Sequence, residues 1–231
     1  MRDKGFRFRN SLLITHNPLP SNTPPHHSKI SNRIRIFGRL RKFMLKTSVQ
    51  FEKVISQCRD LFGKKLQDYG AAWRVLRPSS ITDQIYIKVN RIRTLQMTDI
   101  KMVDESEEDE FIAIVNYSII GLIQLEKGLS NDFNENKEEI IGLYDKYAGE
   151  AKALMERKNH DYGEAWRDMR ISSITDLIYQ KVLRTKQIED NQGKTIVSEG
   201  LDANYFDMLN YAVFCLIKFS EKNNQFEPKT I

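Results

Sequence analysis

The sequence predicts an all-α protein built from two tandem three-helix repeats, packed together as an internal pseudo-dimer behind a disordered N-terminal extension. Three observations predict it. DYGAAWRVLRPSSITDQIYIKVNR at 68–91 returns as DYGEAWRDMRISSITDLIYQKVLR at 161–184, a shift of 93 residues with 17 of 24 positions identical. The flanking stretches carry apolar residues at helical spacing, and no run reads as a strand. A three-helix unit of roughly 90 residues buries only a modest core and leaves one apolar face uncovered, so two copies cover each other.

Each element has a local reason. The first helices run through SVQFEKVISQCRDLFGKKLQ and KEEIIGLYDKYAGEAKALMERK and stop at DYG, where Gly70 and Gly163 accept the positive φ that ends a helix. The second helices are expected to open at Ser80 and Ser173, whose hydroxyls suit an N-cap, with Asp83 and Asp176 three residues on against the positive end of the dipole. Ile81, Ile85, Val89 and Ile92 then make an inward stripe. The third helices cover 107–126 and 199–221, and the polar linker KGLSNDFNENK divides repeat 1 (44–130) from repeat 2 (131–231).

Charge is divided unevenly. Of 36 Lys/Arg, ten fall in residues 1–43 against the single acid Asp3, leaving 26 Lys/Arg and 30 Asp/Glu, a net of −4, for the rest. The tail also holds four of six prolines and lacks sustained periodicity, so it reads as a disordered basic extension, and translation is expected to begin at Met44. No apolar run spans a bilayer, which needs roughly 18 residues. Two lone cysteines, Cys58 and Cys215, point to a reducing cytosol, hence a cytoplasmic protein.

The retained residues are polar and aromatic, types that packing alone rarely dictates in fixed order. Trp73 and Trp166, each three residues after the turn glycine, read as plugs between helices, with stacking on a base as the other reading. Arg74, Arg77, Lys88, Arg91 and Arg93 match Arg167, Arg170, Lys181, Arg184 and Lys186. Five cations in register near a helix N-terminus suit a phosphate; Arg167, Lys181, Arg184 and Lys186, with Lys88 and Arg91 in the first copy, are the candidates. Surface ion pairs to Asp68, Asp83 or their counterparts are the alternative.

The last helix is apolar on most sides, yet Asp207 and Asn210 sit inside that cover. A carboxylate there needs a cation, a donor network or a metal. Glu199, Asp207 and Asn210 fall on one face, with Asp202 a turn along from Glu199, and oxygen donors without His or Cys suit Mg²⁺ or Mn²⁺. A pairing of Asp207 with a repeated cation is the competing reading. Asp207 aligns with Ala113, so a single complete site is expected mainly on repeat 2. GKT at 193–195 lacks the earlier glycine of a P-loop, and DESEEDE at 104–110 reads as a solvated helix start.

DYGxAWR, SSxTDxIYxK and EGxDANYxDMLNYA, over 48–222, resemble the bacterial and phage family called nucleotide modification associated domain, type 1, which implies a part in making or processing modified nucleotides. The final helix is similar, more loosely, to MazG-type all-α pyrophosphohydrolases, on which analogy Glu199, Asp202 and Asp207 hold Mg²⁺; the ExxE pair that those enzymes carry on an earlier helix has no counterpart here. The reading is therefore a nucleotide-processing protein, with Asp161, Tyr162, Asp68, Tyr69 and Asn210 shaping a nucleoside pocket. The alternative is a non-catalytic module that binds a nucleotide or nucleic acid; the oligomeric state stays open.

Overall fold

A computed structural model describes the backbone of residues 26–98, 100, 102, 104–131, 135–197 and 199–226, with side chains within those segments from Lys46 to Asn223. Six helices form it: α1 (His26–Tyr69), α2 (Pro78–Thr98), α3 (Glu107–Lys127), α4 (Lys137–Tyr162), α5 (Ile171–Asp190) and α6 (Leu201–Phe226). Short 3₁₀ turns, Ala72–Val75 and Ala165–Asp168, follow α1 and α4. Among the described residues there is no strand, and no helix is long and apolar enough to cross a membrane. The expected basic extension of residues 1–43 lies outside the described residues up to position 25, and beyond that only its helical backbone is described. Residues from Gly38 onward form one compact unit, which carries both repeats.

The helix ends follow from the residues that make them. Gly70 (φ 64°) and Gly163 (φ 62°) sit in the left-handed region that closes α1 and α4, where a Cβ would be strained. At α3, Ser106 and Asp109 form a reciprocal capping box, and the Asn136 side chain accepts from Glu138 and Glu139 N–H at the start of α4. The second helices correct the sequence reading: they begin two residues early, at Pro78 and Ile171, so Ser80 and Ser173 lie inside the first turn. Proline at the first helical position has no N–H to leave unpaired. Arg170, the actual N-cap of α5, makes no side-chain cap.

The repeats are related by a pseudo-two-fold that can be read from reciprocal contacts. Between α2 and α5, Lys186 Nζ meets Asp83 Oδ1 at 2.6 Å and Arg93 Nε meets Asp176 Oδ1 at 3.1 Å. Each cation also lies over the other repeat's tyrosine, Lys186 over Tyr86 and Arg93 over Tyr179, and the two rings stack at 6.0 Å. Between α1 and α4, Arg59 pairs with Asp145 at 2.6 Å and Lys152 pairs with Glu52, positions that exchange under the 93-residue shift. Such exposed pairs each contribute about 0–1 kcal/mol, so they set register rather than stability. Stability comes from the buried stripe Ile81, Ile85, Val89, Ile92 and its counterparts Ile174, Ile178 and Val182, at roughly 1.5–3 kcal/mol per side chain. At the centre α3 packs on α6 so closely that a Cβ on Gly121 would stand 2.6 Å from the Tyr205 ring.

Candidate functional site

A cleft of about 500 Å³ opens in repeat 1 between α1, the first 3₁₀ turn, α2 and α3. That volume falls in the range of small-molecule sites, roughly 300–1,000 Å³. Its base is apolar, made by Phe62, Leu66, Leu76 and Ile120. Tyr69, Trp73 and Tyr117 give it an aromatic wall. The turn chemistry places the first two: Gly70 ends α1 immediately after Tyr69 and swings the chain so that the 3₁₀ turn presents Trp73 to the same opening. Burial, with the nearby Tyr117 and Asp68, pushes the Tyr69 phenol above its usual value, so it stays a neutral donor.

The polar wall comes from α2 and α3. Glu110 is buried at 1% exposure and meets Arg91 Nη1 through Oε1, while Lys88 Nζ stands 3.2 Å from Oε2. Arg91 Nη1 also lies 3.4 Å from Glu105 Oε2. The Lys88 ammonium donates to Oε1 at 3.5 Å, and Oε2 keeps only the ion pair. Lys65, exposed at the rim, has no ion-pair partner among the described residues.

The same place in repeat 2 is filled from within. Asp207, where repeat 1 has Ala113, projects a carboxylate that takes Lys158 on Oδ1 and Lys181 on Oδ2, both at 2.6 Å. Burial is the largest single influence and works against the Lys158 charge, but the Asp207 hydrogen bond and the negative charges of Asp207 and its neighbours together raise the ammonium above its usual value. Trp166, 6% exposed, stacks on Phe214 at 4.3 Å and 2°; the residue matching Phe214 in repeat 1 is the smaller Ile120. The expectation of a plug thus holds for Trp166, while Trp73 is half-buried and lines the open cleft.

The structure distributes the expected site residues widely. Glu199 and Asp202 are exposed and Asp207 is committed to two lysines; among the described residues, no group of three or more His, Cys, Asp or Glu side chains could hold a metal ion. Arg167 bonds Glu164 (2.6 Å), Glu221 (3.1 Å), Gln50 (2.8 Å) and Thr47, so its guanidinium is used inside the fold. Its counterpart Arg74 is likewise buried against Glu135, Gln124 and the Gly128 carbonyl. Lys186 serves the repeat interface; Arg184 has no ion pair among the described residues, and where its repeat-1 counterpart Arg91 meets Glu110 the matching position of repeat 2 is Asn204. Asp161 pairs with His160 at 3.0 Å beside the exposed Tyr162, and Asp68 is exposed next to Tyr69.

Asn210 is a staple: its Nδ2 donates to the Ala151 carbonyl at 3.2 Å, as Asn116 does to Cys58 at 3.1 Å. Burial pushes the Cys58 thiol up to about 12, so it is inert packing. Sequence reasoning missed Glu110, Tyr117 and Lys65. Glu110 was hidden in the acidic run 104–110, although it lies one turn before Ile114 on the inward face.

The family described as nucleotide modification associated domain 1 matches residues 65–125 and 158–219, which together span just over half of the chain. No curated protein and no solved structure shows significant similarity to it. The two matched regions start 93 residues apart, the same shift that relates the helices and their reciprocal ion pairs. The chain therefore belongs to the nucleotide modification associated domain 1 family, as a tandem of two copies.

Proposed function

We propose that the protein binds a nucleoside phosphate in the cleft of repeat 1, and that repeat 2 is its structural partner. The observation that carries this reading is the aromatic wall of Tyr69, Trp73 and Tyr117 around an apolar cleft, in a chain of a family named for nucleotide modification. A base stacked on such rings gains about 1–3 kcal/mol per contact. Lys65 at the rim is placed for phosphate. Mg²⁺-dependent hydrolysis at Glu199, Asp202 and Asp207 is the weaker proposal, because that donor set is split between solvent and a lysine clasp.

The test is titration of the full chain with nucleoside monophosphates and triphosphates, with and without Mg²⁺, read by calorimetry. The expected result is saturable binding that does not require Mg²⁺, weakened about tenfold or more in Trp73→Ala and unchanged in Asp207→Asn. Binding that requires Mg²⁺ and is lost in Asp207→Asn instead would move the site to repeat 2 and overturn the proposal.

A further inference from the structure

We infer that Lys65 and Lys88 receive one phosphoryl group beside Ala113, so that the cleft takes a nucleoside monophosphate in preference to the triphosphate. This rests on the nucleoside reading above and adds the number of phosphates. Repeat 2 marks the place from within. There Asp207 sets one carboxylate between two lysines, Lys158 and Lys181, each at 2.6 Å. In the alignment of the two repeats, Lys158 matches Lys65, Lys181 matches Lys88 and Asp207 matches Ala113. All three counterparts line the cleft. Repeat 1 therefore has both cations without the carboxylate that joins them in repeat 2, and an anion of the ligand takes its part.

Both lysines can serve a ligand. Lys65 is exposed and has no ion-pair partner among the described residues. Lys88 is one-quarter exposed and meets Glu110 at 3.2 and 3.5 Å, longer than the 2.6 Å of the Asp207 clasp, and an ammonium has three protons to donate. A phosphate monoester, with about −1.5 to −2 charges near neutral pH, suits two such cations. The rest of the cleft opposes further negative charge. Glu105 and Asp109 also line it, and the first turn of α3 carries Glu107, Glu108, Asp109 and Glu110, so a helix end of the kind that draws phosphate is occupied by carboxylates. α1 reaches the cleft with its C-terminal end, the negative end of its dipole. Among the described residues, no Lys or Arg lines the cleft besides Lys65 and Lys88, so the second and third phosphoryl groups of a triphosphate meet acids rather than cations. Mg²⁺ carried in by a triphosphate is usually held by one or two carboxylates as well. Here Asp109 belongs to the helix cap, Glu105 lies 3.4 Å from Arg91, and Glu110 is buried against Arg91 and Lys88.

The test is calorimetric titration of the full chain with each deoxynucleoside, its 5′-monophosphate and its 5′-triphosphate, with and without Mg²⁺, across the four DNA bases. For a base that binds, the expected result is a monophosphate at least about tenfold tighter than the nucleoside, the factor that one charged hydrogen bond commonly contributes, and a triphosphate weaker than the monophosphate. Ala113→Asp supplies from the chain the carboxylate that repeat 2 carries, and the advantage of the monophosphate over the nucleoside disappears. Lys65→Ala removes the same advantage by taking away a cation, while stacking on Trp73 keeps binding measurable. A triphosphate that binds as tightly as the monophosphate or tighter overturns the inference and leaves the nucleoside cleft standing, as do equal affinities for nucleoside and monophosphate or an advantage that survives either variant. If Ala113→Asp fails to fold, Lys65→Ala, at an exposed position, decides with the parent series. Failure of every nucleoside and nucleotide to bind overturns the nucleoside site and this inference together.

Discussion

Lys181 Nζ lies 2.6 Å from Asp207 Oδ2, joining α5 to α6 beneath the surface of repeat 2. Its counterpart Lys88 is also held by a buried carboxylate of the third helix, but by Glu110, whose match in repeat 2 is Asn204, one turn before Asp207. Duplication has kept the lysine and the need for a partner while the acid moved by three residues. The move has a consequence for shape: a carboxylate at 207 lies where Ala113 leaves space, and draws Lys158 in as well.

Removing that acid tests the clasp. Asp207→Ala leaves Lys181 at 14% exposure with no counter-charge and next to a second ammonium, a loss on the order of 3 kcal/mol for a broken buried pair. Lys158 is nearly half exposed and swings into water, which limits the damage to the Lys181 side. Urea denaturation should show a lowered midpoint at unchanged slope. A midpoint within error of the parent would mean that the pair is only a surface contact.

A second prediction concerns pH. Glu189 accepts from Thr82 Oγ1 at 2.7 Å and is half-buried; burial raises its carboxyl above the usual 4.5, and Asp83 and Asp190 add to the rise. A carboxyl that holds its proton more tightly when folded lowers stability as pH climbs through the window above 4.5, and that penalty is fully present at neutral pH. Glu189→Gln keeps an acceptor for Thr82 and removes the charge. The variant should melt higher than the parent at pH 7, and the gap should close as pH falls through 4.5. A gap that widens on acidification would reverse the assigned cause.

Most of the architecture was readable because it rests on local chemistry and on a repeated string. DYG names both helix ends, and the helically spaced apolar stripe from Ile81 to Ile92 names the buried face. Lys186 and Asp83 were both visible, and their pairing follows once the copies face each other. The cleft was not readable, because polar richness marks groups that can pair with one another as readily as it marks an open site. In repeat 2 those polar groups are occupied with one another, Asp207 with Lys158 and Lys181, and Arg167 with Glu164. Space survives where residues are small, at Ala113 and Ile120, and a missing side chain leaves no motif.

The pseudo-two-fold also predicts a repair. Asn116 donates to the Cys58 carbonyl and accepts from Tyr144 Oη at 2.9 Å, so both ends of its amide are used. Asn210 repeats the first bond at Ala151, which is Cys58 shifted by 93, but its Oδ1 is buried with no donor. The residue that corresponds to Tyr144 in repeat 1 is Phe51, 1% exposed and without a hydroxyl. The symmetry that exchanges Arg59–Asp145 with Glu52–Lys152 predicts that the Phe51 ring faces Asn210 as Tyr144 faces Asn116. Phe51→Tyr therefore supplies the absent donor and should stabilise the protein by about 1 kcal/mol, the usual net value of such a bond. A double-mutant cycle with Asn210→Ala isolates the term: the gain should vanish in the Asn210→Ala background, where the tyrosine hydroxyl has no acceptor. A loss in both backgrounds would show that the hydroxyl finds no room, and that the two repeats depart from symmetry at the one place where their amides differ in partners.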